Sequence, residues 1–256
     1  MLILIAESKT METKEVDITS ELYAANIPQG ESVASEIMLR LRDMSIDDLA
    51  TTVKISTSMA SRLQQMIYEF PNKRLGLKSI MAFTGVVFRN IDYSSLSSDE
   101  KTFADSKVRI ISSLYGWLKP SDIIKPYRFE YTSPVAPDNK PLSSYWQKAV
   151  TMALINTIHE SGETEILDLL PSDAAKCIDW KQVRTEAKVW KVDFKELTGE
   201  NVRSPHAGKL KACRGKLLRE IIINHFETIN DLTSFESDVM FPIENYEHAD
   251  RLGFYV

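Results

Sequence analysis

Four stretches of the chain carry residue types that can do chemistry, and each is cationic. Ser8-Lys9-Thr10 follows directly on the apolar run "MLILIA", which delivers a lysine to the end of a buried segment. An amine in that place can meet an anion or serve as a base or nucleophile, with Glu130 as a candidate partner. A solvated loop lysine is the competing reading. The second stretch is "ISSLYGWLKPSDIIKPYR", residues 111–128. Here a helix is expected to end near Tyr115, with a permissive turn at Gly116 and a new helix opening at Pro120-Ser121-Asp122. That is a helix–hairpin–helix outline over roughly residues 98–124. Such hairpins hold phosphate on the free N–H groups of the second helix, with Lys119 and Lys125 adding charge. An αα-corner stapled by Trp117 fits the same residues.

The third stretch, "RSPHAGKLKACRGKLLRE" (203–220), holds Arg203, Lys209, Lys211, Arg214, Lys216 and Arg219 before its first acid, Glu220. On a helix turning about 100° per residue, Leu210, Cys213, Leu217 and Ile221 form the buried face. Arg214 sits at the edge of that face, where a guanidinium is usually held by an ion pair or an anion. Gly215 beside it costs about 1 kcal/mol relative to alanine. A close approach by another backbone or by a phosphate would account for it. In the fourth stretch, Tyr127-Arg128-Phe129-Glu130, strand-like alternation sets Arg128 beside Glu130 as an ion pair. Ser172 and Asp173 also follow an apolar segment, "LLPSD".

The elements that must position these groups are legible in outline. The opening run suits a fully buried central strand. Helices are expected at 31–42, 45–70, 98–115, 143–160 and 207–226, with Ser45 and Asp48 resembling a capping box and Ser56 or Ser58 able to open a further helix. Strands are expected at 80–88, 128–132, 165–170, 187–194 and 252–256. The length of 256 residues and an apolar share of 43% support a sizeable core, read as one domain over 1–256.

Several function classes drop out. A net charge of −5 argues against capture of nucleic acid by the whole surface, while a local basic groove stays open. Cys177 and Cys213 form no CxxC, and His159, His206, His225 and His248 are scattered, so no metal site is expected. No Gly-rich nucleotide fingerprint is present, so no cofactor is expected. No apolar run reaches about 18–20 residues, and "MLILIA" lacks the shape of a signal segment. A reduced, cytoplasmic protein with no membrane partner and no obligate protein partner is the simplest reading.

Taken together and in this order, the segments resemble the YaaA family of bacterial peroxide-stress proteins. "MLILIAESKT" resembles the family's opening strand with its Lys-Thr, and "SLYGWLKPSDIIKPYRFE" resembles its most distinctive motif. "LSSYW", "LDLLPSD" and "KACRGKLLR" resemble three further segments. The resemblance implies an α+β fold, with a mixed sheet wrapped by helices around a cleft and a helix–hairpin–helix element. It implies DNA binding, duplex or single-stranded, through a basic cleft, within a programme that limits iron-driven oxidative damage. Matched by position, the implied site residues are Lys9, then Tyr115, Gly116 and Lys119, then Tyr127, Arg128 and Glu130, and finally Lys211, Arg214 and Gly215. The chain departs from the pattern at Val86 and Phe88, where the family carries an aspartate and a tyrosine. Lys119 replaces an arginine, Ser113 a glycine and Ala212 a lysine. Sequence-tolerant DNA binding therefore leads. An enzyme acting on a phosphorylated small molecule or a DNA lesion is the alternative, with an iron-handling or partner-binding role behind it.

Overall fold

The computed structural model describes residues 1–256 apart from 14, 15, 18, 73, 74, 199, 200, 236, 238, 239, 244, 245 and 247–249. His248 lies outside the described residues. The strands in chain order are β1 (Leu2–Ala6), β2 (Val16–Asp17), β3 (Leu75–Lys78), β4 (Val108–Ser112), β5 (Gly116–Leu118) and β6 (Ile123–Ile124). They continue with β7 (Glu165–Asp168), β8 (Lys188–Thr198), β9 (Asn201–Arg203), β10 (Phe241–Pro242) and β11 (Arg251–Tyr255).

The main sheet is mixed, in the order β10-β11-β8-β7-β1-β4-β5, with β9 on β8. Its centre is parallel: β4 and β7 both run alongside β1, and β8 and β11 continue in the same sense. The edges are antiparallel. Leu2, Ile3, Leu4 and Ile5 are each at most 1% exposed. That explains why β1 reads as an unbroken apolar run: both faces of a central parallel strand are covered. Helices Leu142–Ser161 and Ala207–Ile223 are two of the covering elements. The first buries Trp146, Val150, Leu154 and Ile158, close to the set its period marks. Among the described residues no helix is long and apolar enough to cross a membrane.

Three segments differ from their sequence reading. The helix expected over 98–115 stops at Lys107, where β4 begins. Residues 111–128 therefore hold a β-hairpin, β4 to β5, and then β6; no helix opens at Ser121, and the helix–hairpin–helix outline is not formed. Residues 80–88 are two short helices, Ser79–Ala82 and Val86–Ile91, rather than a strand. Residues 128–132 carry no strand. The span 45–70 holds two helices as expected, Ile46–Val53 and Thr57–Glu69, capped by the Ser45 and Ser56 side chains.

Candidate functional site

Strand β1 is where the chain order of the sheet switches sides, since β4 lies on one flank and β7 on the other. Crevices outside the carboxyl ends of parallel strands at such a point are where open sheets take ligands. A cavity of about 370 Å³ lies at that place. Its lining includes the residues that follow β1 (Glu7 to Thr10), those that follow β7 (Leu169, Pro171, Asp173), the helix start at 85–89, and Phe129 to Tyr131.

Charge converges there from distant segments. Lys9, Arg89, Lys211 and Arg214 all line the cavity, together with Glu7, Glu130 and Asp173. The Lys9 ammonium pairs with Glu130 Oε1 at 2.6 Å. Glu130 therefore serves Lys9, and the expected Arg128–Glu130 pair is not made. Arg128 supports the loop from behind: its Nη1 donates to the Lys9 carbonyl at 2.6 Å, and its Nε is buried without a protein partner among the described residues.

The helix Ala207–Ile223 sorts its cations. Lys209 binds Glu196, and Arg219 reaches the carbonyl of Ile91 at 2.7 Å. Arg203, just ahead of the helix, also binds Glu196. Lys211 and Arg214 face the cavity, and among the described residues neither makes a hydrogen bond or ion pair. Arg214 is half-buried, as its place on the helix wheel required. Burial lowers its pKa, while the fields of Asp168 and Asp173 raise it. Gly215 is explained by packing. A Cβ there would stand 2.3 Å from the Val87 carbonyl oxygen, so only glycine lets this helix lie against Val86–Ile91. That contact places Arg214 against the cavity wall.

Glu7 is the group the sequence reading passed over. Its Oε2 accepts the Ser113 N–H at 2.8 Å and the Tyr127 hydroxyl. Burial drives its carboxyl up to about 7, against the opposing pull of Ser113 and Tyr127. Tyr127 is itself buried, and burial and Glu7 keep its hydroxyl protonated. Tyr127 thus acts beneath the cavity, through Glu7.

Tyr115, Gly116 and Lys119 are not part of the lining. Tyr115 is buried, and its hydroxyl accepts the Lys125 N–H at 3.1 Å. Gly116 takes a φ of 71° beneath the Trp146 ring. Trp117 is buried, as the corner reading required, but on a strand. The amides expected to be free are engaged. Ser121 N–H donates to Asp105 at 2.8 Å, Asp122 N–H to the Lys119 carbonyl at 3.2 Å, and Ile123 N–H to Asn26 at 2.8 Å. Lys125 is buried against the carbonyls of Phe70 and Asn72.

Both thiols are buried, Cys177 fully, and burial pushes the Cys177 thiol up to about 12. Among the described residues no cluster of three His, Cys, Asp or Glu could hold a metal ion.

The chain is similar along nearly its whole length to known proteins. A family described as "Peroxide stress protein YaaA" matches residues 1–245. A UPF0246 protein of Parabacteroides distasonis is 28% identical over 258 residues, covering 99% of each chain. A UPF0246 protein of Shewanella baltica is 30% identical over 239 residues, covering 92% of this chain and 91% of its own. One from Bacteroides thetaiotaomicron is 29% identical over 242 residues, covering 92% of this chain and 90% of its own.

Proposed function

We propose that this chain, which belongs to the YaaA family of peroxide stress proteins, binds DNA without sequence readout by seating a phosphate in the cavity at the end of β1. Membership supports a role in the peroxide stress response. The observation that carries the DNA reading is the convergence of Lys9, Arg89, Lys211 and Arg214 on one concavity from three separate parts of the chain. Two of the four are uncommitted among the described residues, and cations of this kind position a nucleic-acid backbone without reading bases.

A cavity of about 370 Å³ admits one nucleotide unit, not a length of duplex. The ligand is then a strand terminus or an extruded nucleotide, with Phe88 and Phe129 among the apolar walls. A labelled single strand and a labelled duplex, titrated at two salt concentrations, test this. Binding should weaken with salt at a log–log slope of roughly −0.7 per phosphate on the single strand. Arg214→Ala should weaken every sequence alike. No binding at low salt would reject the role.

A second reading is supported by Glu7. A carboxyl titrating near neutrality inside a small cavity suits an enzyme acting on a phosphorylated small molecule. Competition separates the two: a mononucleotide displaces the DNA strand with comparable affinity if the cavity takes the small molecule as its own ligand.

A further inference from the structure

The hydrogen bonds around Glu7 have a fixed direction. Ser112 Oγ accepts the N–H groups of Leu114 at 3.2 Å and Tyr115 at 2.9 Å. Its own proton is left to donate to the Tyr127 oxygen, 2.7 Å away. Tyr127 in turn donates to Glu7 Oε2, which also accepts the Ser113 N–H. Two donors fill the two lone pairs of Oε2. Any proton that Glu7 carries must therefore sit on Oε1. No donor meets that oxygen in a hydrogen bond of 3.5 Å or less among the described residues; the buried Ser113 hydroxyl, without another partner, is near enough to the carboxyl to pull its pKa down, and Glu7 lines the cavity.

We propose that Glu7 is the acid–base group of the cavity, exchanging one proton at Oε1 with an ionisable oxygen or nitrogen of the ligand, a phosphate monoester being the class that fits best. The step is a simple transfer. The ligand X–H bond breaks, its proton joins Oε1, and the electron pair stays on X; the reverse returns the proton. Tyr127 and Ser112 are positioning residues that hold the carboxyl plane. The choice of a monoester rests on the phosphate reading above. Its second ionisation lies near 6, close enough to that of Glu7 for the proton to be shared. The other titrating and charged groups around Glu7 are consistent with this. Tyr131 and Cys177 are buried, with their pKa values raised partly by Glu7 itself. Asp173, Lys9 and Arg214 line the same cavity, as do Glu130, Arg89 and Lys211. The cations favour a dianion, and Glu7 gives it a proton to share.

Two measurements test this on the full chain. In protein labelled with carbon-13 at the glutamate carboxyl, one resonance should titrate near neutrality and vanish in Glu7→Gln. Glu7→Gln keeps an acceptor for Tyr127 and Ser113, so it should fold. If every glutamate titrates in the ordinary carboxylate range, the proposal is overturned. The second is calorimetry with glycerol phosphate, a monoester that is nearly all dianion at pH 7, in two buffers of different ionisation enthalpy. Wild type should take up as much as half a proton per phosphate, and Glu7→Gln none. Uptake that persists in Glu7→Gln also overturns the proposal. A glutamate titrating near neutrality with no phosphate binding supports the acid–base group and sinks the phosphate reading alone.

Discussion

The turn after β4 and the cavity at the end of β1 are both rich in cations and aromatics, yet they dispose of their polar groups in opposite ways. In the turn nearly everything is used internally. The Lys119 N–H donates to Asp122 at 2.8 Å, the next amides are engaged, and Lys125 is buried on carbonyls. Around the cavity, Lys211 and Arg214 stand uncommitted among the described residues, and Glu7 presents one bonded and one unbonded oxygen. Satisfied polar groups hold a shape, whereas groups left unsatisfied beside a cavity await something else. The turn is thus scaffold for the segment Tyr127–Glu130, and the cavity is where a ligand would complete the bonding.

That contrast can be broken first in the turn. Gly116→Ala adds a Cβ 2.5 Å from the Trp146 ring on a backbone with a φ of 71°. Overpacking at about 1–3 kcal/mol and the left-handed penalty at about 1–2 kcal/mol together predict a loss of roughly 3 kcal/mol. Denaturant unfolding should show it, while the folded fraction binds DNA as wild type does. If affinity falls with unchanged stability, the turn is part of the site after all.

Arg214→Ala should do the reverse. Loss of a charge-assisted contact predicts about tenfold or more weaker DNA binding, with a modest change in unfolding midpoint. A variant equal to wild type in affinity would reduce Arg214 to a wall of the cavity.

pH compares the two regions in one titration. Burial raises Glu7 to about 7 and Asp122, in the turn, to about 6. Each folded group then holds its proton to higher pH than the unfolded chain does. Their favourable contribution is complete below about pH 4 and is lost as pH rises through 6 and 7. Glu7→Gln should flatten the upper part of that decline, by on the order of 2 kcal/mol at pH 8. Asp122→Asn should flatten the lower part. Parallel curves for wild type and both variants would show that neither carboxyl is shifted.

The smallest effect sharpens the contrast. Lys211→Glu and Lys119→Glu make the same charge change, one in the cavity lining and one on the exposed turn. The first should make the salt slope of DNA binding shallower by about one, and the second should leave it nearly unchanged. Equal effects would return Lys119 to the binding surface.

The sequence showed some of this directly. β1, the long helix from Leu142, and the edge position of Arg214 follow from local pattern, because burial on one or both faces leaves a period in the residues. The β4 hairpin did not follow. Val108, Ile111 and Leu114 continue a helical spacing from Phe103, but every residue of β4 is buried, so its apolar run fits either period. The pair of short helices at 79–91 did not follow either: Ser79–Ala82 has four residues and Val86–Ile91 six, too few to show a period. Lys9 could be suspected from its place after a buried strand. Glu7 stood two residues earlier and gave no local sign, because what sets it apart comes from Ser113 and Tyr127, more than a hundred residues on. The pairing of β1 with β4 brings Ser113 to it, and Ser112, at the end of β4, holds the Tyr127 hydroxyl beside it.

The burial of Cys177 and Cys213 bears on how a member of a peroxide stress family meets oxidant. Peroxide oxidises thiolate, and a thiol held protonated in the core offers none. Neither position can then serve as a redox gauge. The softer targets are the exposed thioethers of Met81 and Met152, 47% and 41% accessible. Both are absent from the residues lining the cavity. A dose of oxidant should therefore leave sulfoxide marks on the outside of the molecule while the cavity lining keeps its covalent structure, so that what the cavity can hold does not depend on how oxidised its surroundings have become.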